Sequence, residues 1–430
     1  MKFGLPLISN KKWAQSFCLM LAAFLCYTGM YAVRKSFLAG QYNNLDLGFN
    51  SDPKTILVIS QVLGYMISKF FGIKMVSEMN RNTRTKWLIA LVSFGLLMLF
   101  VFSILPDRFK IIALFLNGMP LGMVFGIVLS YLEGRRNTEL LAAALSATFI
   151  FSTGLVKTVG IVLMQEYGVT ENAMPFATGL LFFPIFIFSV WVLNKSKNPD
   201  AVDIAERAER IPMDACKRKD FLRKHGLGYV SLVLIYIFLT IVRDFRDNFI
   251  VDFWSELGYS EKPELITYTE IPVAVIVLVV AALAILIRKN KAAFNYGMIL
   301  TLCGAVFMLL STFLFKRSLL SPVVWIISTG VGVYLPYILF HCLLFERLIA
   351  LLKYTGNVGF LFYTADALGY LGSVVVLFSK ELMNFKGAWV SFFVSLNFIS
   401  ALLIIIFTLL SIIYFNNKIS SIKLKQPITQ

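Results

Sequence analysis

Twelve apolar runs, each close to the roughly 20 residues that carry a helix across a bilayer, divide this chain almost from end to end. They fall at about 14–36, 55–75, 87–105, 111–132, 140–163 and 174–193, and then at 228–251, 265–287, 294–315, 321–345, 355–378 and 389–415. Hydrophobic residues make up 58% of the sequence, charged residues only 15%, and mean hydropathy is +0.77. No soluble core needs that much apolar side chain, so the runs are expected to be membrane-spanning helices. The first is longer than the apolar region of a secretory signal and lacks an A-x-A-like cleavage site, which makes it a retained helix.

The 40 lysines and arginines outnumber the 24 acids and leave a formal charge of +16. In a soluble chain that balance would suggest nucleic acid. Here most of the basic residues fall in the two termini and the even-numbered connections, and few in the odd-numbered ones. Basic residues accumulate on the cytoplasmic side of membrane proteins. Both termini and the connection from Asn194 to Gly226 are therefore expected inside, and no nucleic-acid partner is implied.

That connection is the single long polar stretch, and it separates two groups of six helices. The expected organisation is a first bundle over 1–193, a cytoplasmic linker over 194–226, a second bundle over 227–416 and a cytoplasmic tail over 417–430. Asn198-Pro199-Asp200 starts, and Ile211-Pro212 ends, a short helix predicted to lie along the membrane surface. Five cysteines (Cys18, Cys26, Cys216, Cys303, Cys342) are scattered without metal-type spacing, so neither a disulfide nor a metal site is implied. No cofactor is expected.

The halves echo each other. Val33-Arg34 in the first helix answers Val242-Arg243 in the seventh, and YLEGRR closing the fourth answers LFERL closing the tenth. Such echoes are the remnant of a duplicated transporter bundle, with a solute site near the bilayer midplane between the repeats. Gly118, Gly122 and Gly126 recur every fourth position and read first as close helix packing, second as a surface on which helices slide.

Several motifs resemble, in their order along the chain, those of the organophosphate:phosphate antiporters of the major facilitator superfamily, the glycerol-3-phosphate and hexose-phosphate carriers. YAVRKSF (Tyr31–Phe37) is similar to that family's first-helix Y-x-V-R-K-x-F. GYMISKFFG (Gly64–Gly72) resembles its second helix and supplies Lys69. YTEIP (Tyr268–Pro272), Tyr334-x-Pro336 with Glu346, and ALGYLGSV (Ala367–Val374) resemble its eighth, tenth and eleventh helices. The chain departs from the pattern in three places. The loop after helix two keeps only Glu78, Arg81, Arg84 and Lys86 of the superfamily's charged signature. Ser152 stands near the place of a fifth-helix histidine, and the W-S-P after helix seven is absent. The resemblance implies twelve helices in two six-helix bundles, an anion gripped by Arg34 and Arg243, exchange against inorganic phosphate, a monomer, and a bacterial inner membrane.

The chemistry is legible without the family. Charge within a spanning helix is costly unless it faces a cavity or a partner, so intramembrane ionisable residues mark solute pathways. Arginine's planar fork binds tetrahedral oxyanions bidentately, and one arginine from each half lets the anion bridge them. With nothing between them the arginines repel, which favours exchange. Arg34, Arg243, Lys35, Lys157, Tyr31 and Tyr268 are the expected substrate contacts. Lys69, Asp244, Asp247, Glu270, His341 and Asp366 are expected as ion-pair or coupling residues. Structural alternatives stay open: an Arg243–Asp247 pair at i, i+4, and an Arg34 that snorkels to the outer interface. Lys35 lies about 100° round the helix from Arg34, so the two do not face one ligand equally. Two other functions also remain open, a proton-coupled carrier using Glu270 or Asp366 and a membrane sensor that binds without transport. No H-E-x-x-H, no G-x-S-x-G and no nucleophile–base cluster suggests an enzyme.

Overall fold

The computed structural model describes residues 10–49, 51–77, 79, 81–132, 138–196, 215–352, 358–382 and 388–424. Among these, twelve helical units are long and apolar enough to cross a membrane. In the first half they are α1 (Gln15–Ala39), α2 (Pro53–Gly72), α3 (Thr83–Ile104), α4 (Asp107–Leu132), α5 (Thr138–Gln165) and α6 (Met174–Asn194). In the second they are α7 (Lys219–Glu256), α8 (Glu264–Ile285), α9 (Asn290–Lys316), α10 (Pro322–Leu352), α11 (Leu361–Lys380) and α12 (Trp389–Lys418). The number and order of the apolar runs carry over directly. Their ends differ most at α7, whose helix extends over Ala215–Glu256, because charged residues such as Lys219, Arg223 and Lys224 are good helix formers that continue the turn beyond the apolar stretch. The short helix expected at 198–211 and the loop residues Glu78 and Arg81 lie outside the described residues or, for Arg81, outside those whose side chains are described.

Helices are the right answer to a solvent that offers no hydrogen bonds, because each backbone group is paired within its own segment. Large apolar side chains such as Phe71, Ile104, Phe188 and Ile413 stand exposed on outward faces, where lipid covers them. Inside, the tightest contacts are made by glycine. A Cβ on Gly118 would lie 2.2 Å from the carbonyl oxygen of Gln61, and one on Gly122 would lie 2.7 Å from that of Tyr65. These two glycines seat α4 against the backbone of α2 within one half, which is the close-packing role and not a sliding one between halves.

Within the first half α1 packs on α6, and α4 on α2 and α3; within the second, α7 packs on α11 and α12, and α9 on α10 and α12. Across the halves α2 meets α11 and α5 meets α8. One end of the bundle, the terminal end, carries the start of α1 and the close of α12; the other is the far end. Several units are interrupted where they approach the seam. α1 tightens into a 3₁₀ turn at Ser36–Ala39, α7 leaves helical geometry at Phe249 (φ −119°, ψ 15°), and α10 widens into a π-turn at Phe340–Leu344, four residues after Pro336. Such π-turns are frequent at functional sites.

Candidate functional site: a charged seam between the halves

The seam begins with the way α1 is held. Where that helix tightens, its last carbonyls lose their helical partners. Asn117 of α4 donates to the Val33 carbonyl (3.1 Å) and to that of Gly95 (2.8 Å), while Gln61 of α2 donates to the Arg34 carbonyl and to Asn117 Oδ1 (2.8 Å). Two amide side chains thus fix the backbone from which Arg34 projects.

Arg34 is 2% exposed and lies flat over Tyr65, its guanidinium carbon 3.4 Å from the ring centroid and 6.0 Å from that of Tyr370. Arg243, 5% exposed, stacks on Tyr337 at 4.4 Å, lies 5.5 Å from the Tyr370 centroid and donates to the Tyr370 hydroxyl at 3.2 Å. One arginine from each half therefore flanks the same α11 tyrosine. Stacking occupies the faces of the guanidinium groups and leaves their edges. Nε and Nη2 of Arg34 and Nε of Arg243 are buried and have no hydrogen-bond partner. A buried donor left unpaired costs about 1–3 kcal/mol, and more when it is charged. Phe149 and Tyr31, 6.4 Å apart, and Tyr337, 6.0 Å from Phe149, continue the aromatic wall.

Toward the far end the two halves are latched by ion pairs. Asp247 of α7 takes Lys157 of α5 (2.6 Å) and Lys35 of α1 (3.0 Å) on its two oxygens; Lys35 also donates to Asn248 (2.7 Å), and Lys157 to the Asp247 backbone carbonyl. Lys54 of α2 pairs with Asp252 of α7 at 2.8 Å. Within the second half, Arg246 holds Glu270 at 2.6 Å. Toward the terminal end Lys69 of α2 pairs with Asp366 of α11 at 2.9 Å. Arg347 of α10 reaches Glu139 of α5 at 3.1 Å. Asp366 also accepts from Tyr236 (3.0 Å), whose hydroxyl lies 2.9 Å from Nε2 of His341. The tyrosine has one proton to give, so with Asp366 receiving it, His341 Nε2–H is the donor to the phenol oxygen.

The sequence-predicted residues divide accordingly. Arg34, Arg243, Tyr31, Lys35 and Lys157 all come to the seam, although Lys35 diverges from Arg34 and faces Asp247, as its position round the helix requires. Tyr268 does not join them: it is 62% exposed on the outer face of α8, because Glu270, two residues on, takes the inward position. Arg243 does not pair with Asp247, which the two lysines occupy; it lies 3.7 Å from Asp244 instead. Arg34 does not snorkel outward but stacks inward on Tyr65. Lys69, Asp366, His341, Glu270 and Asp244 are all buried or half-buried at the seam. Residues not anticipated are Arg246, the Lys54–Asp252 pair, Tyr65, Tyr370, Tyr236, Asn248, Gln61 and Asn117. Arg246 was signalled by its place three residues after Arg243, on the same helix face, and Gln61 and Asn117 by being amides in apolar spans. Tyr65 and Tyr370 lie inside the motifs quoted for the second and eleventh helices, whereas Tyr236 carried no comparable signal among 17 tyrosines.

This twelve-helix arrangement is a fold already seen in a solved membrane protein. A D-xylose-proton symporter of known structure superposes with a TM-score of 0.58 at 15% sequence identity, covering 93% of this chain and 97% of that one. The chain belongs to a family of unknown function, DUF5690, whose model matches residues 36–418. No curated protein matches it in sequence.

Proposed function

We propose that the protein is a secondary transporter that carries a small organic anion, phosphate-bearing, by alternating access and in exchange for inorganic phosphate. The observation that carries this reading is the pair of buried arginines, one per half, converging on Tyr370 with unpartnered edges. The charge balance supports it. Among the buried seam residues stand seven cations, Arg34, Lys35, Lys54, Lys69, Lys157, Arg243 and Arg246, against five carboxylates, Asp244, Asp247, Asp252, Glu270 and Asp366. A doubly charged anion would neutralise that excess, and arginine forks suit its tetrahedral oxygens. The aromatic wall offers an apolar face for an organic body.

The transport cycle follows from the latches. Ion pairs cross between the halves on both sides of the arginines, so each side opens only by separating buried charges. Breaking such a pair is costly, about 3–5 kcal/mol where one partner is left behind. An anion held between Arg34 and Arg243 draws the halves together at the centre and offsets that cost; an empty site with two facing guanidinium groups does not. The lysine and arginine asymmetry of the connections supports placing the terminal end in the cytoplasm, and the family resemblance supports a bacterial inner membrane and a monomer.

The test is uptake of labelled phosphate into proteoliposomes preloaded with phosphate, beside empty vesicles and the Arg34→Lys and Arg243→Lys variants. Uptake only into loaded vesicles, reduced at least about tenfold in both variants because lysine keeps charge but lacks the fork, is the expected result. Wild-type exchange in both variants would sink the two-arginine site. A second reading is favoured by one observation, the Tyr236 bridge between His341 and Asp366, and by the proton coupling named for the structurally similar symporter. It makes the protein a proton-coupled carrier with Asp366 as the coupling acid. Uptake driven by a pH gradient into unloaded vesicles and lost in Asp366→Asn would select it.

A further inference from the structure

At the far end the halves enclose a cavity of about 190 Å³ that lies apart from the arginines. Its floor is made by four apolar residues, Ala39, Ile161, Val251 and Ile266. Each stands four positions along its own helix from a charged residue of the seam: Ala39 from Lys35, Ile161 from Lys157, Val251 from Asp247 and Ile266 from Glu270. One helical turn, roughly 5.4 Å, thus separates the cavity from the charges that close the far end. The cavity draws its walls from both halves, with Glu171 on one side and Trp254, Ser255 and Lys262 on the other.

Its polar groups are not equivalent. Glu171 is held in place through one oxygen, Oε1, which accepts from the backbone amides of Gln41 and Tyr42, and Lys262 is the cation that balances its charge in the lining. Trp254 is 2% exposed and its indole Nε1–H is buried without a partner. An indole nitrogen can only donate, and a buried tryptophan normally finds an acceptor. Tyr259 holds the indole edge-on at 5.4 Å between centroids, so the ring is positioned rather than free to turn away. Lys262 lies exposed at the same rim.

We propose that this cavity is a second solute site, a vestibule in which the anion waits above the far-end latch, an oxygen accepting from Trp254 Nε1–H and its charge facing Lys262. The identity of the ligand as an oxyanion rests on the transport reading above; the site itself rests on the cavity and the unpartnered indole. Because its floor residues ride on the helices that carry Lys35, Lys157, Asp247 and Glu270, separating the latch removes the floor and joins the vestibule to the centre.

The experiment places a reporter at the rim. In full-length protein in nanodiscs, Ser255→Cys is labelled with a membrane-impermeant maleimide, with the unsubstituted chain as background, and inorganic phosphate is titrated in. It is repeated with Arg34→Gln and Arg243→Gln present, which disables the central site. Phosphate is expected to slow labelling about tenfold at ten times its dissociation constant, equally with and without the arginine changes. Trp254→Phe, which keeps the ring and removes the donor, should weaken that protection about tenfold. Labelling indifferent to phosphate, or protection that vanishes with the arginines and ignores Trp254→Phe, overturns the vestibule. Phosphate exchange in wild-type vesicles is read in parallel: exchange without protection discards the vestibule and keeps the transport reading, and protection without exchange does the reverse.

Discussion

Asp247 shows how much one side chain decides here. It is the shared partner of two buried lysines from different helices of the other half. Removing its charge leaves Lys35 and Lys157 facing each other in a site from which water is excluded. Asp247→Asn should lower stability by about 3–5 kcal/mol, seen as a fall in the melting temperature of purified protein. The double variant Asp247→Asn with Lys35→Gln should recover part of it, since one of the stranded charges is gone. A melting temperature equal to wild type in the single variant would show that the latch does not hold the halves. Arg34 and Lys35 are neighbours whose fates differ for a geometric reason, a rotation of about 100° round the helix, which sends one to an aromatic stack and the other to a carboxylate.

At the scale of elements, two glycines make opposite predictions. Gly118 touches the carbonyl of Gln61 within the first half, at 2.2 Å for a built Cβ, and backbone cannot yield. Gly118→Val should therefore abolish folded protein, measured by monodispersity in size-exclusion chromatography. Gly154 instead faces the other half, where a Cβ would lie 2.9 Å from Glu270 Cγ and 3.2 Å from the carbonyl of Ile266. Gly154→Val should fold and wedge α5 from α8, favouring the state open at the far end. A cysteine introduced as Ala39→Cys, buried at 3% exposure in the closed arrangement, should then label faster than in the chain with Gly154; equal rates would refute the wedge. The π-turn in α10 and the break at Phe249 in α7 belong to this scale too. Pro336 shows in the sequence as a helix disturbance, whereas nothing in the run around Phe249 announces its non-helical backbone.

For the whole molecule, the proposed transport, with charged latches on both sides of the arginines, predicts that the two ends open alternately. Spin labels at Gln41 and Ser260 report the far end, and labels at Lys86 and Leu222 the terminal end. Saturating phosphate should change the two distance distributions in opposite senses, measured by double electron–electron resonance; parallel changes would exclude a rocking exchange of access. The molecule also separates what can be read from a chain from what must be folded to be seen. Membrane insertion, the number of helices, the six-and-six grouping and the isolated charges are properties of local composition, and the bilayer makes them legible because it penalises every exception. Arg34, Arg243, Lys157, Asp247 and Asp366 stood out for that reason alone. Pairing is not local. Lys35 meets Asp247 across 212 positions of chain, Lys69 chooses Asp366, and Trp254 comes to line a cavity with Glu171, and none of these has a spacing to read. Only the tertiary structure decided which cations meet a carboxylate and that Arg34 and Arg243 converge on one tyrosine with unpartnered nitrogens, because that depends on distances of a few ångströms between helices whose separation in sequence carries no such information.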